Sequence, residues 1–364
     1  MKKVLAVSMC LLVAGFAFAA GGRDGGASGG VRSILLTDAT GIDDASFNAA
    51  AWRGMLQFYG DTWANPAGRG RLYEAMTAAT MAMYDPNLAL AVDEGFDLII
   101  TTGFTWADAT ARSAAANPRQ NYLIVDVVLD NPNIMSATFA EHEGSFLVGA
   151  AAALQAIESG VTNPRFGFIG GIAGAVITRF HVGFVQGVRS VLPNADVLEF
   201  YVNDWGNPAA ALLQARNWYN DGVFAIFSAA GGSGNGTIQA AIEMRQAGRN
   251  VWAIGVDSDQ FESGIYDGRN SAVLTSMLKQ VEAPVVYALN AVRDGTFSGR
   301  NLTFGLADNG VGFSDVNPAL SRGVVNQVNQ IRQRVISGEI PVADTLARAR
   351  MLPNFPNLVF AIDG

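Results

Sequence analysis

The sequence predicts an α/β protein of two similar lobes, each a doubly wound parallel sheet, with a ligand cleft between them at the hinge. Its 364 residues are too many for one ordinary hydrophobic core, so we expect two domains. Short apolar runs alternate with helical patterns, which is typical of parallel sheets covered on both faces. The apolar runs fall into two series of four, one for each lobe. Ligands of such sheets bind outside the carboxyl ends of the strands, so we expect the site between the lobes.

The predicted elements follow one another in a regular order along the chain. The first series of strands is 32–37, 97–101, 121–125 and 134–139, and the second is 165–169, 195–201, 223–227 and 251–256. Predicted helices lie between them, at about 46–59, 86–94, 104–116, 144–158, 176–191, 208–220, 237–247, 280–294 and 319–336.

The last part of the chain does not contain enough elements for a third core. Strands at 272–276 and 301–306 are therefore expected to complete the two sheets. We assign residues 31–140 and 258–300 to lobe 1, and residues 141–257 and 301–364 to lobe 2.

The N-terminus has the features of an export signal. Two lysines precede an apolar stretch over 4–18, and Ala17-Phe18-Ala19 matches an A-x-A cleavage site. We therefore expect a signal peptide over 1–19, cleaved after Ala19 or nearby, and a flexible glycine-rich linker over 20–30. Cys10 lies inside the apolar stretch, whereas a lipoprotein signal has its cysteine at the end. A free periplasmic protein is the interpretation, with membrane association as the alternative.

The composition excludes several functional classes. A formal net charge of −8 without a basic run argues against binding to nucleic acid. Cys10 is the only cysteine, and His142 and His181 are the only histidines, so we assign no catalytic residue, no metal and no cofactor. A dinucleotide-dependent enzyme that uses the glycine turn at 231–236 is the alternative. That turn lacks the third glycine of the dinucleotide fingerprint and the ending of a P-loop.

Polar and aromatic side chains that follow predicted strands are the candidates for the cleft. Phe47 and Asn48 open the first helix, which Ser46 or Asp44 is expected to cap. The glycine-rich turn after strand 223–227 brings backbone N–H groups close to a ligand. The structural alternatives are a core phenylalanine, a turn asparagine and a plain strand-to-helix turn.

Two carboxylates directly follow buried strands, where they are costly unless paired or bound to a ligand. Asp126 follows strand 121–125, and Asp257 follows strand 251–256. Such carboxylates suit a neutral ligand that donates hydrogen bonds. Capping of the following helices is the structural alternative.

The counts of basic residues single out one lysine. Beyond the leader the chain has 21 arginines but a single lysine, Lys279, which follows a short strand near the expected cleft. An ammonium is a compact charge with three donors and fits where a guanidinium fork does not. We interpret Lys279 as a cleft residue; chance survival is the alternative.

Four motifs in the same order make the chain resemble the basic membrane protein family of ABC transporter substrate-binding proteins, which includes purine-nucleoside receptor lipoproteins. The motifs lie at 37–48, 141–149 (EHEGSFLVG), 229–236 (AAGGSGNG) and 255–260 (GVDSDQ). The resemblance implies the type I periplasmic binding protein fold, two α/β lobes joined by three crossings. It also implies a monomer that delivers a small-molecule ligand to a permease in the inner membrane.

The resemblance implies a purine nucleoside as ligand. The base would lie between two phenylalanines, Phe47 and Phe227, and Asn48 and Asp126 would bond its edge. A receptor of the same fold for a sugar or another small signalling ligand is the alternative, because two aromatic rings serve a sugar as well.

For the ribose, the resemblance implies that Asp257 accepts from the hydroxyls, that Lys279 donates to them and that Gly232 offers its backbone. The sequence departs from the family in lacking the usual lipid-bearing cysteine. Residues 61–73, rich in Gly, Pro and Arg, are interpreted as a local insertion.

Overall fold

Two six-stranded sheets, each flanked by helices, form the framework of the computed structural model, which describes residues 30–352. The predicted signal peptide, the linker up to residue 29 and residues 353–364 lie outside the described residues. Among the helices of the described part, none is long and apolar enough to cross a membrane.

Ten of the twelve strands in the described residues correspond to predicted ones, and β2 and β12 do not. They are β1 (Ser33–Thr37), β2 (Tyr73–Thr77), β3 (Leu98–Thr102), β4 (Asn121–Val125), β5 (Ile134–Phe139), β6 (Arg165–Gly170), β7 (Val197–Tyr201), β8 (Val223–Ala229), β9 (Trp252–Asp257), β10 (Val273–Lys279), β11 (Arg300–Phe304) and β12 (Val311–Phe313).

The α-helices likewise lie where the periodicity predicts them, except for α10. They are α1 (Phe47–Tyr59), α2 (Tyr84–Asp93), α3 (Ala107–Ala116), α4 (Glu141–Glu158), α5 (Ala175–Val191), α6 (Pro208–Asn220), α7 (Asn235–Gln246), α8 (Glu282–Arg293), α9 (Arg322–Ile336) and α10 (Leu346–Met351).

The two sheets have the same strand order. The first runs β11-β5-β4-β3-β1-β2 and the second β12-β10-β9-β8-β6-β7, so β4 corresponds to β9 and β1 to β6. All neighbours are parallel except β10 and β12. The prediction of two similar parallel-sheet lobes is confirmed.

The predicted lobe boundaries are wrong in the last third of the chain. Strand β10, predicted in lobe 1, pairs with β9 in the second sheet, and β11, predicted in lobe 2, pairs with β5 in the first. Helix α8 packs against α1. Lobe 1 therefore comprises 31–140 and 281–304, and lobe 2 comprises 141–279 and 311–352. The chain crosses between them three times, as the resemblance implied.

Elements that the sequence did not predict lie at sheet edges or near the end. Strand β2 is an edge strand with a half-buried pattern, and β12 is three residues long. Helix α10 is short and packs against α5. Short edge elements carry little periodicity, so the sequence pattern does not reveal them.

The segment 61–73, interpreted as an insertion, leads into β2 through a series of turns. The Asp61 carboxylate accepts hydrogen bonds from the Tyr73 hydroxyl and the Gly68 N–H. The Arg69 guanidinium lies 5.3 Å from the centre of the Trp52 ring. These contacts hold the segment against α1.

Helices α4 and α5 pack closely because glycines lie at their contact. A Cβ atom at Gly149 would meet the backbone of α5, and one at Gly183 or Gly187 would meet the backbone of α4. Both helices are buried along most of their length. This packing fixes the first turns of both helices beside the cleft.

Candidate functional site

A cavity lies between the two lobes at the carboxyl ends of their strands, with about 560 Å³ of space including the part open to solvent. Loops after β1, β3 and β4 line it from lobe 1; helix α5 and the ends of β7, β8, β9 and β10 line it from lobe 2. This is the location that the sequence predicted.

The loop after β1 directs Phe47 into the cavity. The Asp44 carboxylate accepts from the N–H groups of Ser46, Asn48 and Ala49, each at 2.9 Å, and so caps α1. Burial raises the pKa of Asp44 to about 6, although these backbone bonds oppose the shift. Of the two predicted caps, Asp44 fills the role, and the Ser46 side chain points elsewhere.

The predicted partner ring, Phe227, does not line the cavity. It is fully buried, and its ring centre lies 5.3 Å from that of Phe184 and 6.2 Å from that of Phe180. Side chains alternate across a strand, and Phe227 points into the core of lobe 2. Phe180 of α5, which contacts Phe227, lines the cavity instead. The expectation that Phe227 lines the ligand site is therefore wrong.

Trp205 is an aromatic cavity residue that the sequence analysis missed. It lies in the loop after β7, where its ring packs so closely on Gly171 that a Cβ there would overlap it. Its ring centre lies 6.1 Å from that of Phe104, which reaches across from lobe 1. The sequence feature that could have identified it is a tryptophan in a polar turn after a predicted strand.

Asn48 is buried behind the cavity wall and does not line it. Its amide nitrogen donates to the Asp38 carboxylate at 3.1 Å, and its amide oxygen accepts from Thr102 at 2.6 Å. The expectation that Asn48 bonds a ligand directly is corrected, because its hydrogen bonds hold Asp38. Asp38, also missed in the sequence, lines the cavity.

The predicted glycine contact is displaced by one residue. Gly231, with a positive φ of 54°, lines the cavity. Gly232 packs against Thr40 of lobe 1, where an added Cβ would lie 3.0 Å from the threonine methyl. Gly232 therefore allows the lobes to approach each other, and it does not line the cavity.

Lys279 lies at the centre of the charged groups of the site. Its ammonium is buried and donates to both carboxylate oxygens of Asp126, at 2.6 and 2.8 Å. Burial by itself disfavours the charged amine, but the surrounding carboxylates, Asp126 foremost, outweigh it and raise the pKa of Lys279. The ammonium also lies 4.9 Å from the centre of the Phe47 ring. Lys279 is therefore buried at the cleft, where the sequence placed it, and not on a solvated face.

Behind Lys279 lies a fully buried carboxylate, Glu141, at the start of α4. Its Oε1 lies 3.2 Å from the Lys279 ammonium, and its Oε2 accepts from the Arg179 guanidinium at 2.6 Å. Burial alone would raise the pKa of Glu141, but the two cations outweigh it and lower the pKa.

Asp126 and Asp257 occupy corresponding positions, at the ends of β4 and β9. Both have positive φ, 76° and 62°, which is strained for residues other than glycine and is a feature of functional sites. Burial raises the pKa of each to about 6, and Lys279 opposes the shift in both. Both carboxylates line the cavity, as expected from their positions after the strands.

Hydrogen bonds across the cleft join the lobes in a closed arrangement. The Ser46 hydroxyl of lobe 1 donates to the Asp257 carboxylate of lobe 2 at 2.7 Å. The Ser258 hydroxyl and the Gln260 amide donate to backbone carbonyls of lobe 1. The Lys279–Asp126 pair is a further link. Neither histidine lines the cavity, and within residues 30–352 no cluster of acidic, histidine or cysteine side chains is arranged to hold a metal ion.

Comparison with protein families gives a match over nearly the whole described chain. The model of the Bmp family, described as ABC transporter substrate-binding protein PnrA-like, matches residues 31–345.

Curated relatives are similar over most of their length. A CD4+ T-cell-stimulating antigen from Listeria innocua is 36% identical over 319 residues, which is 85% of this chain and 87% of that protein. An ABC transporter nucleoside-binding protein, BmpA, from Lactococcus lactis is 34% identical over 359 residues, 94% of this chain and 97% of that protein.

Solved structures with the same fold include transport proteins. A solute-binding protein of an ABC transporter system from Aeropyrum pernix superposes with a TM-score of 0.74 at 24% identity, covering 86% of this chain and 94% of that chain. A solute-binding protein from Conexibacter woesei gives 0.64 at 19% identity, covering 86% and 99%. At these identities the likeness concerns the fold alone.

Proposed function

Because the chain belongs to the family of PnrA-like ABC transporter substrate-binding proteins, we propose that it captures a nucleoside, with a purine base, in the cavity between its lobes. In this proposal the exported, monomeric protein acts in the periplasm and delivers the ligand to a permease in the inner membrane. We propose that it binds its ligand without chemical change; the name of the Lactococcus lactis relative, an ABC transporter nucleoside-binding protein, supports the choice of ligand.

The observation that carries the proposal is a cavity with aromatic walls and a charged centre. Phe47 and Phe104 line it from lobe 1, and Phe180 and Trp205 line it from lobe 2. Rings on both lobes suit a flat, neutral guest that both lobes contact when they close. Each aromatic pair adds roughly 0.5–1.5 kcal/mol beyond the burial of area.

The aspartates that line the cavity differ in how many of their oxygens are already hydrogen-bonded, so we assign them different roles. Ser46 occupies only Oδ2 of Asp257, so the other oxygen is available for a ribose hydroxyl, with Lys279 as the donor beside it. Asp126 gives both oxygens to Lys279, which leaves it less capacity for the base edge than the resemblance implied. We assign the base edge chiefly to Asp38, held in place by Asn48 and Thr40.

The charge of the cavity favours a nucleoside over a nucleotide. Four aspartates line it, and Lys279 is the single cation among its lining residues. A phosphate group would face these carboxylates, whereas ribose hydroxyls donate to them. Specificity would thus arise from repulsion of anions as well as from bonds to the guest.

A thermal-shift comparison tests the proposal. Ligand-stripped protein is heated with guanosine, adenosine or inosine, and separately with ribose and with guanosine monophosphate. A ligand that binds only the folded state raises the melting temperature, and the stabilisation grows with the logarithm of one plus its concentration over Kd. We expect a rise with at least one nucleoside and a smaller one with the monophosphate. A rise with ribose and none with any nucleoside would instead support a sugar receptor.

A further inference from the structure

We propose that Glu141 is a positioning residue that keeps Lys279 charged and in place while the cleft is open, before a ligand arrives. This inference rests on the proposed function only for its consequence in ligand binding. The state of Lys279 itself can be measured in the ligand-free protein.

Glu141 lies beside two cations, Lys279 and Arg179, and does not line the cavity. It is fully buried at the start of α4, which packs against β10, the strand that carries Lys279. One carboxylate oxygen lies 3.2 Å from the Lys279 ammonium, and the other accepts from Arg179 at 2.6 Å. Glu141 is absent from the cavity lining, so it acts on a ligand only through Lys279.

The partners of Lys279 belong to different lobes. Asp126 ends a strand of lobe 1, whereas Glu141, Arg179 and Asp257 belong with Lys279 to lobe 2. When the lobes part, Asp126 moves away with lobe 1 and both of its hydrogen bonds to the ammonium are lost. Glu141 stays, because α4 and β10 are packed within the same lobe.

The retained carboxylate matters because the lysine side chain is buried among aromatic rings. The Lys279 ammonium lies 5.0 Å from the centre of Phe139 and 5.4 Å from that of Phe180. A buried ammonium loses its proton unless nearby carboxylates compensate for the lost hydration. Two carboxylates besides Asp126, namely Glu141 and Asp257, act on the Lys279 ammonium. The Arg179 guanidinium binds the other oxygen of Glu141.

Asp257 cannot replace Glu141 in this role throughout the pH range. Burial raises the pKa of Asp257 to about 6, so it is partly protonated in mildly acidic conditions. The pKa of Glu141 lies below its ordinary value, so Glu141 is ionised at the same pH. Glu141 is therefore the constant counter-charge of Lys279.

The composition of the chain makes a direct test possible. Lys279 is the only lysine outside the leader, so protein labelled with ¹³C at the lysine ε-carbon gives one buried signal. Protein that begins at residue 20 lacks Lys2 and Lys3 and so contains Lys279 as its single lysine. We compare the ligand-free NMR titration of Lys279 in the wild type, in Glu141→Gln and in the matched control Glu143→Gln. Glu143 is in the same helical turn but accepts from the Leu306 N–H.

We expect the Lys279 titration to move down by about one pH unit or more in Glu141→Gln and to stay unchanged in Glu143→Gln. Glu141→Gln also leaves Arg179 buried without its carboxylate, which threatens folding. The double variant Glu141→Gln with Arg179→Gln removes that lone cation and should still show a downward shift relative to Arg179→Gln alone. An unchanged Lys279 titration in either comparison overturns the proposal.

The same variants connect the charge to binding. On the alkaline side, nucleoside affinity should fall once Lys279 loses its proton, because a neutral amine is a weaker hydrogen-bond donor. In Glu141→Gln this fall should begin at a pH about one unit lower than in the wild type. If the wild type binds no nucleoside, the proposed function fails, while the NMR result still decides the role of Glu141. An equal loss of affinity at every pH in Glu141→Gln and Glu143→Gln would mean a general structural role and would contradict the inference.

Discussion

At the scale of single residues, the site combines predictable and unpredictable positions. Phe47, Asp126, Asp257 and Lys279 all line the cavity, and each was selected because it follows a predicted strand or is chemically unusual in this chain. Their roles in binding remain proposals. Asn48 and Phe227, which were expected to contact the ligand, point away from the cavity. A single sequence does not give the direction in which a side chain points.

Two of these failures have a clear physical cause. Successive helix residues point about 100° apart, so Phe47 and Asn48 at the start of α1 do not both face the cavity. Strand β8 is buried on both faces, so its sequence shows no alternation that would tell which side of the sheet Phe227 faces. Phe180 lines the cavity in its place, and Trp205 adds a further ring from a loop in which that ring packs against Gly171.

Replacement of Trp205 tests the aromatic wall. Trp205→Ala removes a ring that lines the cavity and contacts Phe104, so nucleoside affinity should fall about fivefold or more. The matched control is Trp63→Ala, because Trp63 is 46% exposed and is not among the residues lining this cavity. Calorimetric titration of both variants measures the difference. Equal affinities in the two would remove Trp205 from the site.

The carboxylates predict a dependence of binding on pH. Burial raises the pKa of Asp257 to about 6, so nucleoside affinity should be constant from pH 7 up to the alkaline range in which Lys279 loses its proton, and it should fall as the pH drops through 6. Asp257→Asn should weaken binding at pH 7.5 about tenfold or more and flatten this profile, since a hydrogen bond to a charged group contributes about 1.5–3 kcal/mol. The exposed Asp259→Asn serves as the control. Affinity that is equal at pH 5 and pH 7.5 would contradict the assignment.

Protonation of Asp257 in acid does not by itself destabilise the fold. The folded-state pKa of Asp257 lies above its ordinary value of 3.8, so the folded state binds the proton more tightly than the unfolded chain. This group therefore destabilises the ligand-free fold as pH rises from 3.8 to 6, not as it falls. Acid should weaken binding through Asp257 while the same group favours the folded state.

At the scale of elements, the two sheets repeat one plan, and the site uses equivalent points in each. Strands β4 and β9 correspond, and both end in an aspartate with positive φ that lines the cavity. The alternation of strands and helices was predictable because each central strand is a continuous apolar run. The exchange of β10 and β11 between lobes was not, because sequence order alone does not decide which sheet a late strand joins.

The contact between α4 and α5 supports the site from behind and gives a prediction at this scale. Gly183→Ala would bring a Cβ against the backbone of His142, so the free energy of unfolding should fall by about 1–3 kcal/mol. Gly323→Ala is the control, since Gly323 is exposed in the first turn of α9 and an added Cβ meets only the Ser321 hydroxyl, at 3.4 Å. Denaturant unfolding measures both variants. Equal stability of the two would mean that the helices move apart without cost.

At the scale of the whole molecule, binding and closure are one equilibrium. Three pairs of residues meet across the cleft only when it is closed. They are Ser46 with Asp257, Asp126 with Lys279, and Thr40 with Gly232, the first of each pair belonging to lobe 1. A ligand shifts this equilibrium only as far as it binds the closed form better than the open one. Rings and carboxylates contributed by both lobes meet that condition for a guest that spans the cleft.

The most direct test of a nucleoside guest is calorimetric titration of the ligand-stripped protein. Guanosine, inosine and adenosine are titrated in turn, with the free bases and ribose as controls at the same concentrations. We expect at least one nucleoside to bind with a submillimolar Kd and more tightly than either of its halves. Absence of heat with every nucleoside, or tighter binding of ribose alone, would contradict the account.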